Sequence, residues 1–336
     1  MKKFITLFCL VILFVSAQAQ DPHFSQFFAS PLTLNPALTG KFNGSYRVTG
    51  NYRNQWPEIN RAFITSTASV DFHILENKID YTDNWGIGVS GYSDNSANGA
   101  VKFNYASIST AYHKGLDEDG YSQIGVGFQA TYANMLINTT SLKFEDQLTT
   151  SGFTGVTSEI FNNPASLKSN YLDINAGVLY SGSSNERNNY YIGASVYHIT
   201  RPKQSFTGAN YLLNPRVTVH AGSYFPLGET TNIHVSALES VQGKANETVL
   251  GTAVEFNLGG ADPDKPTSVY GGAWMRIGDA AIPYIGLEFG EFRLGASYDV
   301  NISKLKTASE SRGGIEISLI YIRRPSTEKN IHCPKF

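Results

Sequence analysis

Charge is scarce in this chain. Asp, Glu, Lys and Arg make up 16% of it, against roughly 25% in an ordinary soluble domain. Cysteine is scarcer still, with only Cys9 and Cys333. Cys9 lies in an apolar leader that is read below as removed. Cys333 then stands alone, which excludes an internal disulfide and any cysteine-based metal site. The net charge is −2, and it becomes 24 − 28 = −4 once Lys2 and Lys3 are removed. With no long basic cluster, nucleic acid is excluded as a partner. Beyond the leader no apolar run approaches the roughly 18 residues of a membrane-spanning helix. The seven histidines are scattered singly, and neither a His-x-x-x-His pair nor a Gly-x-Ser-x-Gly elbow occurs.

What is present begins with a secretory signal. Lys2 and Lys3 precede the apolar stretch Phe4–Val15, and Ala17-Gln18-Ala19 supplies a small-residue cleavage site before Gln20. The apolar stretch is too short to span a bilayer. Glycine (31), tyrosine (19) and phenylalanine (20) are abundant. An exported chain rich in glycine and aromatics, without hydrophobic helices, points to an all-β protein.

From Ser45 onward, alternation with period 2 dominates, as in β-strands. Phe292, Leu294, Ala296, Tyr298 and Val300 share one face, opposite Arg293, Gly295, Ser297 and Asp299. Ile124, Val126, Phe128, Ala130 and Tyr132 oppose Gly125, Gly127, Gln129 and Thr131. Roughly fourteen such segments occur, each near the 9–11 residues that a tilted strand needs to cross a bilayer. They fall near 45–56, 61–72, 85–93, 101–113, 121–133, 168–181, 189–199, 214–226, 231–240, 247–259, 268–277, 281–289, 290–300 and 312–324. Aromatics recur at segment ends (Tyr46, Trp56, Phe72, Trp85, Tyr112 and Tyr321 among them), as in the interfacial girdles of membrane barrels. Backbone groups in lipid must all be paired, so such strands must close into a barrel. The expected fold is therefore an all-β, transmembrane antiparallel β-barrel of about 14 strands. A soluble sandwich alternates similarly, and a propeller would need an internal repeat of about 40 residues that is not seen.

Connection lengths orient the barrel. Bacterial barrels keep short periplasmic turns and long outer loops. That places 134–167, 200–213 and 301–311 outside and 115–120, 227–230 and 259–267 inside, with 73–84 long for a periplasmic turn. Several chemistry-like patterns have simpler readings. Gly86-Ile-Gly-Val-Ser-Gly91 lacks the following helix of a dinucleotide site and reads as small lumen-facing residues. Asp117-Glu-Asp-Gly120 is too short for a calcium loop, and Asp262-Pro-Asp-Lys-Pro266 is a proline-bounded turn. Arg276, Glu288, Glu291 and Arg293, inside expected strands, could be catalytic, but lumen solvation or ion pairing across strands accounts for them more simply. No catalytic, cofactor or metal residues are assigned.

The mature chain opens with "QDPHFSQFFASPLTLNPALTG", Gln20–Gly40, followed by "YRVTGNYRNQWP", Tyr46–Pro57. Both stretches resemble the N-terminal signature of the PorP/SprF family, outer-membrane proteins of the type IX secretion system in Bacteroidetes-type bacteria. The stretch Ser297–Ile322 and the closing Cys333-Pro334-Lys335-Phe336 resemble its C-terminal pattern, with Lys335 in place of the usual arginine. The resemblance implies a non-enzymatic barrel in the outer membrane, embedded in its lipid. It would support export or surface attachment of a secreted partner, such as an adhesin, that carries a C-terminal secretion domain. Secretion ring and motor components are further implied partners. A porin or specific channel is the other reading.

The expected organisation is a signal peptide (1–19), an N-terminal plug or periplasmic segment (20–44), a barrel (45–324) and a periplasmic tail (325–336). The leader has prolines that forbid a ladder and aromatics that are costly in water. It is expected to be ordered, either inside the barrel or on its periplasmic mouth, with Asn35-Pro36 as the turn feeding strand one. Family-motif and plug candidates are Asp21, Pro22, His23, Phe24, Ser25, Gln26, Asn35, Pro36, Asn51, Tyr52, Arg53, Gln55 and Trp56. Period 2 turns Asn51, Arg53 and Gln55 to the lumen, opposite Tyr52 and Trp56. The longest outer loop supplies Phe144, Phe153, Ile160 and Phe161 as candidate partner contacts.

Overall fold

The computed structural model describes residues 21, 23–59, 63–76, 78–155, 157–158, 167–185, 188–206, 211–259 and 267–323. The signal peptide, Pro22, Ile160, Phe161, the 262–266 turn and the C-terminal tail lie outside the described residues. Fourteen antiparallel strands form a closed barrel. They are β1 (Tyr46–Gln55), β2 (Phe63–Ile74), β3 (Asn84–Ser96), β4 (Val101–Gly115), β5 (Gln123–Ile137), β6 (Leu167–Asn185) and β7 (Asn188–Tyr197). They continue as β8 (Arg216–Pro226), β9 (Thr231–Gln242), β10 (Ala245–Asn257), β11 (Thr267–Arg276), β12 (Ala280–Phe289), β13 (Phe292–Asn301) and β14 (Arg312–Arg323).

Each strand pairs with its sequence neighbours, and β1 closes on β14 from Tyr46↔Arg323 to Gln55↔Gly314. An even strand count brings both barrel termini to one end. The long connections 138–166, 198–215 and 302–311 all lie at the other, here termed the loop end. Short antiparallel ribbons, Leu148–Thr149 with Gly152–Phe153 and Lys203–Gln204 with Tyr211–Leu212, decorate two of these loops.

Alternation sorts side chains as the pleat requires. Ile124, Val126, Phe128 and Tyr132 face outward and exposed, while Gln123, Gln129 and Thr131 are buried inside. Outward rings gather near the terminal end, where Tyr46 lies 5.9 Å from Tyr321 and Tyr321 lies 4.8 Å from Phe292. In the glycine series, Gly86 and Gly88 face the lumen, but Gly91 faces outward. An odd offset from Gly86 reverses the side of the sheet, so its reading as a lumenal residue is corrected.

The lumen is not uniformly small and polar. Leu179, Leu238, Val249, Trp274 and Ile282 point inward and join a buried cluster with Phe27, Leu34, Ala37 and Leu38. The leader itself packs into this space. It runs as three single turns, Phe27–Ala29, Pro31–Leu34 and Pro36–Leu38. Pro31 and Pro36 each occupy a first helical position, where a missing N–H costs nothing.

Candidate functional site

The site is the contact between the leader and the barrel wall, together with the lumenal space left above it. The leader's path is set by its two ends. Asp21 Oδ2 lies 2.9 Å from His198 Nε2 and 3.4 Å from Arg216 Nη1, and Asp21 N donates to Gln242 Oε1 at 2.8 Å. His198 follows β7, Arg216 opens β8 and Gln242 ends β9, so Asp21 sits at the loop end. Lys41, by contrast, donates to Gln123 Oε1 at 2.5 Å at the terminal start of β5. The leader therefore spans the height of the lumen, entering β1 only after crossing it. Asn35-Pro36 lies mid-lumen and does not feed β1. That role belongs to 39–45, where Gly40 has φ +70°.

Burial alone would raise the Asp21 carboxyl, but His198 and Arg216 override it and hold it well below the usual carboxylate range. Burial likewise disfavours charge on His198. The carboxylates of Asp21 and Asp173, the latter 2.8 Å from Nδ1, outweigh it and raise the imidazole to about 9.

The next stretch is held by charge. Ser25 N and Gln26 N donate to the two carboxylate oxygens of Glu316 at 2.7 and 2.9 Å. Ser25 Oγ donates to Asp299 Oδ1 at 2.7 Å and accepts from Arg276 Nη2 at 2.7 Å. Gln26 Nε2 donates to Ser297 Oγ at 3.0 Å, and its Oε1 accepts from Ser318 Oγ at 2.6 Å. Arg53 donates to His23 O and pairs with Asp299 at 2.8 Å. The Asn51 amide nitrogen, oriented as its neighbours require, donates to Ala29 O at 3.0 Å. Phe24 is buried edge-on to Tyr92 at 6.5 Å. His23 Nδ1 faces Glu247 Oε2 at 3.2 Å; burial first, then Arg53 and Arg276, push its pKa well below the usual histidine value.

The second stretch is held by close packing. Asn35 Nδ2 donates to Val178 O at 3.1 Å and meets His220 Nε2 at 3.0 Å, while its Oδ1 accepts from Ala37 N at 2.8 Å. Pro36 passes directly over Gly127, where a Cβ would lie 2.4 Å from leader backbone. Gly86 and Gly88 give the same clearance to Gly40 and Leu32. Arg47 grips Asp71 through two bonds of 3.0 and 2.7 Å and donates to Leu38 O at 3.0 Å, while Asp71 also accepts from Gly40 N at 2.8 Å.

The remaining sequence candidates lie elsewhere. Tyr52 is exposed on the outer face. Gln55 is half-buried at the loop end of β1, and Trp56 follows it, edge-on to Phe63 at 5.6 Å. In the 138–166 loop, Phe144 precedes the turn Glu145–Gln147, and Phe153 is 50% exposed beneath the Lys143 ammonium. Arg276 pairs with Glu247, Asp279 and Asp299, and Arg293 with Glu288 across β12 and β13. Sequence reading overlooked Glu316, Asp299, Asp71, His198 and His220 as leader contacts. Their only signal was a polar residue at or beside an inward strand position.

Against known proteins, residues 16–321 match the family described as Type IX secretion system membrane protein PorP/SprF. No match was found among curated proteins. Among solved structures, the Ralstonia pickettii toluene transporter TbuX is similar in fold. Its TM-score is 0.51 at 9% identity, with 88% of this chain and 93% of that chain covered. A Pseudomonas aeruginosa FadL homologue gives 0.44 at 9% identity, covering 85% and 92%. The likeness to TbuX shows the fold.

Proposed function

Because the chain belongs to the PorP/SprF family of type IX secretion system membrane proteins, we propose that it supports export or surface attachment of a secreted partner by docking it, without passing it through the lumen. The protein lies in the outer membrane, as its barrel and family require. The observation that carries the docking reading is the leader, which spans the lumen and packs against its wall through an apolar core and a buried polar network. By the usual convention of bacterial barrels, the terminal end is periplasmic and the loop end faces outward. The partner, a protein with a C-terminal secretion domain such as an adhesin, meets the loop end. The secretion ring and motor components meet the periplasmic turns. The role asks for no catalysis.

The 138–166 loop is the proposed partner contact, since loops on a rigid barrel commonly carry binding. Its sequence carries Phe144, Phe153, Ile160 and Phe161. Affinity purification from native membranes tests the whole reading. Secretion components and one large secreted protein should co-purify, and their absence would overturn it. Deleting 139–165 should abolish surface display of the partner while the barrel stays in the membrane. A large, stable conductance of the purified barrel in a planar bilayer would favour a transport channel instead.

A further inference from the structure

Toward the loop end, the lumen keeps a partly open cavity. The leader is its floor, through Asp21, His23, Phe24 and Leu34. One wall is aromatic: Tyr92, Phe103, Tyr105, Tyr171 and Tyr197. Tyr92 and Tyr105 stack at 4.5 Å with planes 4° apart, and Phe103 stands edge-on to Tyr105 at 5.9 Å. Phe103 and Tyr105 are only half-buried, so ring surface is left for another flat, apolar face.

The opposite side carries charge, but that charge is already compensated. Asp21 lies between His198 and Arg216, His198 also meets Asp173, and Glu247 is paired with Arg276. An ionic ligand would find no unpaired counter-charge there. The buried polar atoms of the lining that lack a partner among the described residues include, beside the Tyr92 hydroxyl, Arg216 Nε and His23 Nε2. Arg216 Nε can only donate. With a proton on Nδ1 toward Glu247, neutral His23 presents Nε2 as an acceptor. A hydroxyl group both donates and accepts, so it satisfies either atom, and an orphaned buried polar group favours whatever ligand supplies the missing bond.

We propose that this cavity binds an uncharged ring molecule with one apolar face and hydroxyls at its edge, the chemistry shared by a pyranose sugar and a simple phenol. A mostly apolar pocket with a few placed polar groups is the usual form of such a site. The proposal is independent of the docking role. A binder could also occupy the cavity in a barrel that carries no secreted partner.

Titration calorimetry on the full barrel tests it, in a detergent without a sugar headgroup, with methyl glucoside, phenol, toluene and benzoate. Methyl glucoside or phenol should bind, and which one binds identifies the source. Tyr105→Ala and Phe103→Ala should each weaken binding about tenfold or more, the factor that losing one ring's apolar contact implies. Tyr132→Ala, on the outer face, should leave binding unchanged. Tyr105→Phe keeps the ring and guards against a misfolded Ala variant; it should retain most of the affinity. Toluene or benzoate binding as tightly as the hydroxylated rings, binding of none of the four, or unchanged affinity in both Ala variants would overturn the proposal.

Discussion

The two halves of the leader are held by different physics. From Asp21 to Gln26, backbone and side chains end on acidic and basic side chains: Glu316, Asp299, Arg53 and Arg276. From Leu32 to Gly40, the grip comes mainly from missing side chains, with Gly86 and Gly127 opening a track for leader backbone and Gly88 making room for the Leu32 side chain. The first half resembles a latch, whose partners must stay charged and paired. The second resembles a groove, whose wall must stay empty. A latch fails by losing a group and a groove by gaining one, so opposite kinds of substitution should disrupt them.

Arg53→Ala should have the largest effect. It removes one of the two arginines that pair with buried Asp299 and the one that lies 3.9 Å from buried Glu316, and breaking a buried pair costs about 3–5 kcal/mol. The midpoint of urea unfolding should fall accordingly, and an unchanged midpoint would break the latch half of the comparison. Gly127→Ala should cost about 1–3 kcal/mol by overpacking against the leader. Gly91→Ala, which meets nothing within 4 Å, should be neutral. Equal effects at both glycines would break the groove half. Glu316→Gln keeps the side-chain shape but turns an N–H₂ toward a leader N–H. It should cost about 1–3 kcal/mol, while Ser318→Ala should cost less because the Gln26 amide keeps its other bonds.

The smallest expected effect is a pH dependence at the outer tip. His198 is raised to about 9 in the folded protein from an ordinary 6.5. A raised pKa contributes stability that is fully present below pH 6.5 and lost as pH rises through about 9. Asp21 is depressed, so its share is present above the ordinary carboxylate value of 3.8 and lost on acidification. In a Cys333→Ser background, a nitroxide spin label on a cysteine introduced at Gln20 should therefore be more mobile at pH 10 than at pH 6. His198→Gln should remove most of that difference. Unchanged spin-label mobility across this window in the parent protein would show that the tip is not anchored by this charge cluster.

Strands were legible because their signal is local. Val126 and Phe128 against Gly127 and Gln129 reveal a pleat without reference to any other segment, and each of the fourteen expected segments overlaps one barrel strand. The inward turn of Asn51 and Arg53 followed from the same period. The candidate site was only half legible. The leader announced itself by proline and aromatic content, and its identity rested on resemblance. Glu316 looked like any inward carboxylate. The apolar inward residues Leu238, Val249, Trp274 and Ile282 even ran against the pattern, because they pack on the leader instead of facing water.

Taken alone, the order of residues settled the pleat, the hairpin connectivity and the closed sheet, since alternation and turn chemistry act between near neighbours. Tertiary structure decided which way the leader runs and what it touches. Gln26 meets Glu316 across 290 positions, and Asp21 meets Gln242 across 221. No period in a sequence encodes such pairings, because only closure of the barrel around the leader brings those groups within hydrogen-bonding distance.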